Sequence, residues 1–230
     1  MAPMSSRNRN RPPELDPPSP DPGAAEGDHA LPPLSAQQRR ILLKTARQSI
    51  AAGLERGGPL QVNTAEYDER LQAPAASFVT LHMGRDLRGC IGSLEARRPL
   101  ICDVAANAFA AAFQDPRFPP LVASELSALH IHISVLNPPE DMTFTSEEDL
   151  LGQLRPGVDG LILSEGESHR ATFLPSVWHT LPHPRQFLNQ LKIKAGLPPD
   201  YWSDSLRVQR YTTESFGEED LTGGHEAERP

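Results

Sequence analysis

Hydrophobic positions recur with a helical period along "LSAQQRRILLKTARQSIAAGLERGG", where Leu42, Thr45, Ala46, Ser49 and Ile50 share one face. Ser35 followed by Gln38 forms a capping-box pattern, and Gly57-Gly58 supplies the stop, so the spacing predicts a helix opening the domain. "ASFVTLHMG" (76–84) alternates apolar and polar residues and reads as a strand running into "DLRGCIG". "RPLICDVAANAFAAAFQD" is apolar and alanine-rich, with Pro99 near its first turn, and predicts a buried helix that "DPRFPPL" ends. In "LHIHISVLN" (129–137), Leu129, Ile131, Ile133 and Val135 fall on one face of a strand, with His130, His132 and Ser134 on the other.

Further along, "SEEDLLGQL" is a short helix capped by Ser146, and "GVDGLILSEGESHRATFLP" reads as a hairpin turning at "EGES". "PSVWHTLPHPRQFLNQLKIKAGL" predicts a short helix, a proline break and a second helix ending at Gly196, before "SLRVQRYTTESF" closes the domain as one strand. Hairpin-linked strands with helices at irregular intervals predict an α+β fold with a mixed or mostly antiparallel sheet and flanking helices.

Composition changes this picture mainly at the ends. Residues 1–33 hold nine of the 24 prolines and little apolar surface, so a disordered Pro-rich tail is expected there. The domain is expected over 34–216, and a disordered acidic tail over 217–230. The net charge of −8 sits largely in those end segments and leaves the middle of the chain close to neutral. A duplex-binding protein displaces counterions with a basic face, and no basic stripe is visible, which argues against tight nucleic-acid binding. The longest apolar stretch, around Ile101 to Phe113, is interrupted by Asp103 and Asn107 and is too short to cross a bilayer. The start of the chain lacks the apolar core of a secretion signal, and with only two cysteines the protein reads as cytoplasmic, with reduced thiols.

Candidate chemistry is sparse. In "RDLRGCIGSLEA" Cys90 lies between Gly89 and Gly92, which would let the backbone turn sharply and present main-chain N–H groups beside a thiol. Arg88 would activate that thiol or hold an anion; the competing reading is a small buried residue in a glycine turn. Asp115 and Arg117 flank Pro116 and either bridge within a loop or line an anionic-substrate cleft. His130 and His132 have metal-ligand spacing on a strand, and His179 and His183 lie four apart, but no third ligand falls at a suitable offset and no metal or other cofactor is expected. Thr172, with Arg170 and Trp178, lines a pocket or belongs to the edge of the core.

The motifs themselves resemble a known family. "LRGCIGSLEA", "FQDPRFPPL", "HISVLNPPE", "GVDGLIL", "RATFLPSVW" and "FLNQLKIKAGL" occur in the order seen in the AMMECR domain family, also called AmmeMemoRadiSam system protein A. The resemblance spans roughly 35–216 and implies two subdomains, a larger one on an antiparallel sheet and a smaller helical one, with a cleft between them. The positions it carries over are Arg88, Gly89, Cys90, Ile91, Gly92, Asp115, Pro116, Arg117, Phe118, Ser134, Asp159, Gly160, Thr172, Pro175 and Lys194. His130 and His132 depart from it, since acidic residues are common there. The family has no established reaction; the resemblance implies Memo-type and radical SAM partners in a modification pathway acting on RNA or a small molecule. Two functions follow as expectations. One is an enzyme or enzyme component with Cys90 as nucleophile or group-transfer site, Arg88 and Asp115 assisting, and Arg117, Gly89, Gly92 and Thr172 against the substrate. The other is a non-catalytic adaptor whose RGCIG segment is structural.

Overall fold

The computed structural model describes residues 32–222. The helices are α1 (Ala36–Arg56), α2 (Glu69–Gln72), α3 (Leu100–Phe113), α4 (Glu147–Gln153), α5 (Pro184–Lys194) and α6 (Glu219–Thr222). The strands are β1 (Ser77–Met83), β2 (Asp86–Gly92), β3 (Leu129–Leu136), β4 (Glu140–Asp141), β5 (Gly160–Glu165), β6 (His169–Phe173), β7 (Arg207–Tyr211) and β8 (Thr213–Gly217). They form two four-stranded sheets, ordered β2-β1-β3-β8 and β4-β7-β5-β6. Every strand pair is antiparallel, so the fold is α+β with no parallel element in either sheet.

The first sheet packs on α1 and α3. The expected capping box is present, with the Ser35 hydroxyl accepting from the Gln38 N–H and Gln38 reaching back to the Ser35 N–H. Gly57 ends the helix in the left-handed conformation at φ 71°. The apolar face of β3 turns inward as its alternation predicts: Ile131 and Ile133 are fully buried with Val79, Leu81, Leu42, Ile50, Leu100 and Ile101. Each such side chain contributes up to about 1.5–3 kcal/mol of burial. Asp103, buried in the first turn of α3, accepts from Ser77, Ser93, Asn107 and Arg98 and ties that helix to β1.

The second half differs from the smaller helical subdomain implied by the family motifs, because it is built on its own sheet. Leu161 and Leu163 of β5 pack against Phe187, Leu188 and Leu191 of α5. Trp178 stacks on Phe187 with ring centres 3.8 Å apart and donates its indole N–H to the Asp159 carbonyl at 2.7 Å. Lys192 is wholly buried and reaches Glu147 at 2.7 Å, an ion pair placed where an apolar residue would be expected.

Two segments join the halves, and both end at the same point. Expected to be one strand, "SLRVQRYTTESF" breaks at Thr212, so that β7 completes the second sheet and β8 the first. Thr212 accepts from Asn137, which follows β3, through both its carbonyl at 2.9 Å and its hydroxyl at 2.7 Å. Ala76, Leu136, Ile162 and Tyr211 form a small core at this junction, and Glu95 bridges to Arg170 at 3.2 Å. The ordered chain also continues past Phe216: Glu218 is held by Arg47 at 2.7 Å, and α6 follows. The rest of the tails expected at 1–33 and 217–230 falls outside the described residues.

Candidate functional site

Between the outer face of the first sheet and the second half lies a cleft of about 850 Å³. Strand alternation builds its floor. The polar face of β3 presents His132 and Ser134, and β1 presents Phe78, Thr80 and His82. Pairing aligns these residues in rows across the sheet: Cys90, Thr80, His132 and Gly217 in one, and Gly92, Phe78, Ser134 and Ser215 in the next. The opposite wall comes from Thr172 to Leu174, Ser176, Val177 and Lys194.

The RGCIG segment is strand and not a turn. None of its glycines has a positive φ; the turn between β1 and β2 is made at Gly84, with φ 60°. Gly89 and Gly92 serve close approach instead. A Cβ on Gly89 would lie 2.1 Å from the Ala111 carbonyl oxygen of α3, and one on Gly92 would lie 2.2 Å from the Phe78 ring.

A bulge sorts the side chains of β2. Leu81 pairs with Gly89 and His82 with Leu87, which leaves Arg88 as the extra residue. Leu87 and Cys90 therefore face the cleft, while Arg88 turns away to a paired contact with Glu125 at 2.7 and 3.0 Å. The guanidinium expected to act on the Cys90 thiol is occupied elsewhere.

Asp115 and Arg117 cover the free edge of β2. The Cys90 N–H donates to Asp115 Oδ2 at 2.8 Å, and its carbonyl accepts from Arg117 Nη2 at 3.1 Å. Arg117 closes the loop onto Asp115 through Nε at 2.9 Å and Nη2 at 2.6 Å. The pair stands in for a missing neighbouring strand. Because the Cys90 N–H is taken, this segment offers no oxyanion hole of the kind a glycine turn would supply. The Arg117 hydrogen bonds, with those from the Cys90 and Arg117 N–H groups, hold the buried Asp115 carboxyl well below the usual carboxylate range. Asp115 is thus a positioning carboxylate whose proton-accepting capacity is already filled.

With both backbone groups of Cys90 facing the edge, Cys90 and Thr80 form a pair without mutual backbone hydrogen bonds, the closer of the two antiparallel spacings. The Thr80 hydroxyl donates to Cys90 Sγ at 3.3 Å. The thiol is half-buried on the cleft floor. Lys194, at the end of α5, donates to the Thr172 carbonyl at 3.0 Å and lies 5.1 Å from the Phe173 ring centre. Burial by the cleft walls pushes Lys194 below the ordinary lysine value; a negative charge on the Cys90 sulfur opposes that shift, and the Arg117 cation adds to it. The Thr172 hydroxyl donates to the Leu161 carbonyl and meets the Tyr211 hydroxyl at 2.8 Å, anchoring the wall.

Burial likewise pushes His132 below the usual histidine value, against the pull of Glu219 and Asp220. Among the described residues no group of three or more His, Cys, Asp or Glu side chains is arranged to hold a metal ion. Cys102 lies on α3 outside the cleft, its thiol pushed up by burial.

Of the residues singled out from the sequence, Cys90, Asp115, Arg117 and Thr172 meet at the cleft, Gly89 and Gly92 shape its floor, and Arg88 stands apart. Thr80 was missed; its signal lay in the polar positions of "SFVTLHM", but only the strand register brings it opposite Cys90. Lys194 carried no local signal beyond its family motif.

A protein of Methanothermobacter thermautotrophicus is 37% identical over 193 residues, covering 81% of this chain and 97% of its own length. Protein MJ0810 of Methanocaldococcus jannaschii is 34% identical over 165 residues, 68% of this chain and 80% of its own. The crystal structure of an uncharacterized protein, PH0010 from Pyrococcus horikoshii, superposes with a TM-score of 0.72 at 33% identity, covering 78% of this chain and 90% of that one. The AMMECR1 family model matches residues 43–216, and the chain belongs to the AMMECR1 family.

Proposed function

We propose that the protein is a thiol-dependent enzyme, or the thiol-bearing component of one, with Cys90 as nucleophile or group carrier. One observation supports this above the others: Cys90 Sγ lies on the cleft floor, within reach of the Thr80 hydroxyl and in the company of Arg117 and Lys194. A thiolate is the reactive form of cysteine, and such sulfurs occur in partly exposed, electropositive surroundings.

The step is acyl or related group transfer. The sulfur bonds to an electrophilic carbon of the substrate, the bond from that carbon to its leaving group breaks, and the thiol proton leaves with that group. Asp115 and Arg117 hold the strand that carries the sulfur, and Thr172 and Lys194 bound the substrate space. Gly92 keeps Phe78 seated below that space. The Memo-type and radical SAM partners implied by the family motifs are proposed to supply or take up the transferred group, on RNA or a small molecule. No helix among the described residues is long and apolar enough to cross a membrane.

The test is transfer from a small acyl thioester to the folded protein carrying Cys102→Ser, followed by intact mass and peptide mapping. Acylation of Cys90 in the native chain, lost in Cys90→Ser, is the expected result. Acylation that waits for unfolding would overturn the proposal and return RGCIG to a structural role in an adaptor.

A further inference from the structure

The cleft carries more positive than negative charge at the thiol. Among the described residues that line it, Asp115 is the one carboxylate, and Arg117 already satisfies it. Arg117 nonetheless remains 53% exposed at the side chain, with Nη1 making no hydrogen bond among the described residues. Lys194 uses one ammonium proton on the Thr172 carbonyl and makes no other hydrogen bond among the described residues, which leaves two protons for a ligand. Arg117 and Lys194 line the same cleft as Cys90, Arg117 reaching in from the loop that covers β2 and Lys194 from the end of α5 on the opposite wall. Among the described lining residues, two cations against the single Asp115 carboxylate leave one positive charge uncompensated, while Glu219 and Asp220 lie outside the lining, toward His132. The lining also presents an apolar set, Phe78, Leu87, Ile91, Phe173, Leu174 and Val177, beside the polar floor.

From this juxtaposition we infer that the cleft binds a small organic acid, seating an oxyanion between the Arg117 and Lys194 side chains and an apolar body against the phenylalanine and aliphatic walls. The inference rests on the thiol reading of the site and gives its substrate class. Arg117 Nη1 and the Lys194 ammonium are the donors left over, and a carboxylate or a phosphate ester can accept one hydrogen bond from each, so both oxyanions belong to the class. His132, on the cleft floor, is pushed below the ordinary histidine value by burial, so it is largely neutral at pH 7 and does not contribute a third charge. His82, the remaining imidazole of the lining, lies a row away from Cys90.

The test compares two alkylating agents of nearly equal size on the folded Cys102→Ser chain: iodoacetate, which carries the oxyanion, and iodoacetamide, which does not. The ratio of their rates at Cys90 is referred to the same ratio at Cys90 in the urea-unfolded chain. About a tenfold rise in the folded chain is expected, falling about fivefold in Lys194→Gln, whose single hydrogen bond is to an exposed carbonyl. Far-ultraviolet dichroism confirms that the variant is folded. Inorganic phosphate that slows both reagents supports a seat for either oxyanion; phosphate without effect, alongside a raised ratio, restricts the seat to carboxylates. A folded ratio equal to the unfolded one, or one that Lys194→Gln leaves unchanged, overturns the oxyanion seat. Resistance of the folded chain to both reagents overturns the thiol reading beneath it.

Discussion

Asp115→Asn removes one charge and leaves the shape of the side chain intact, so it isolates what the carboxylate does for β2. The carboxylate accepts four hydrogen bonds, from the Cys90 and Arg117 N–H groups and from Arg117 Nε and Nη2. An amide keeps one oxygen and points an N–H₂ group at donors, so two of the four are lost whichever way it turns. Hydrogen bonds to a charged acceptor contribute about 1.5–3 kcal/mol each. Arg117 is half exposed and regains water when released, which brings the expected cost to about 2–4 kcal/mol at pH 7. Urea unfolding of both chains measures it.

The pH dependence is a second check. Arg117 and the two N–H groups hold the folded Asp115 carboxyl below its ordinary value, so the stability it confers is complete above about pH 4. It is lost as pH falls from there toward the folded value, and the gap between the parent chain and the Asp115→Asn variant must narrow over that range. Amide hydrogen exchange at Cys90 is expected to accelerate in the variant. A cost below about 0.5 kcal/mol, or a gap that stays constant on acidification, would refute the view of Asp115 and Arg117 as a surrogate strand.

Three further outcomes are expected. Gly89→Ala sets a Cβ against the α3 backbone and is expected to cost more than about 3 kcal/mol, whereas Gly84→Ala meets open space at positive φ and costs about 1–2 kcal/mol; the reverse order in thermal unfolding would restore the glycine-turn reading. Burial raises the Tyr211 phenol to about 12, so stability declines as pH rises from about 10, where the unfolded phenol ionises, and Tyr211→Phe removes a phenolate absorbance step near pH 12. Absorbance titration of both chains decides this, and an unchanged step in Tyr211→Phe would count against it. Thr80→Val removes the hydroxyl that donates to Cys90 and is expected to slow thioester exchange about tenfold without loss of fold, so an unchanged rate would exclude Thr80 from the site.

Much of this architecture is legible in the residues. The polar face of "LHIHISVLN" is the cleft floor, and the Ser35 capping box and the hairpin turning at "EGES" lie where their local chemistry puts them, with Gly166 at φ 58°. What escapes is what depends on distance along the chain. The bulge that diverts Arg88 to Glu125 arises from a pairing register that no single strand encodes. Asp115 meets the Cys90 N–H across 25 residues, and nothing in "FQDPRFPPL" indicates that its partner is a strand edge. No glycine, proline or asparagine interrupts "RVQRYTTESF", so the passage from one sheet to the other at Thr212 is hidden. Lys192 and Lys194 look alike in "LKIK"; the helix buries the first against Glu147 and carries the second to the cleft. The glycines beside Cys90 show the same limit, since residues that permit a turn also permit close packing, and only the presence of Ala111 and Phe78 distinguishes the two.

The central claim is that the Cys90 sulfur opens into the cleft and is available for chemistry in the folded protein. The most direct measurement is the rate of Cys90 alkylation by iodoacetamide in the native Cys102→Ser chain, set against the rate for the same chain in urea and read by mass spectrometry. A native rate equal to or above the unfolded rate, with the fold retained after modification, is the expected result; protection of Cys90 by more than about a hundredfold until the chain unfolds would contradict it.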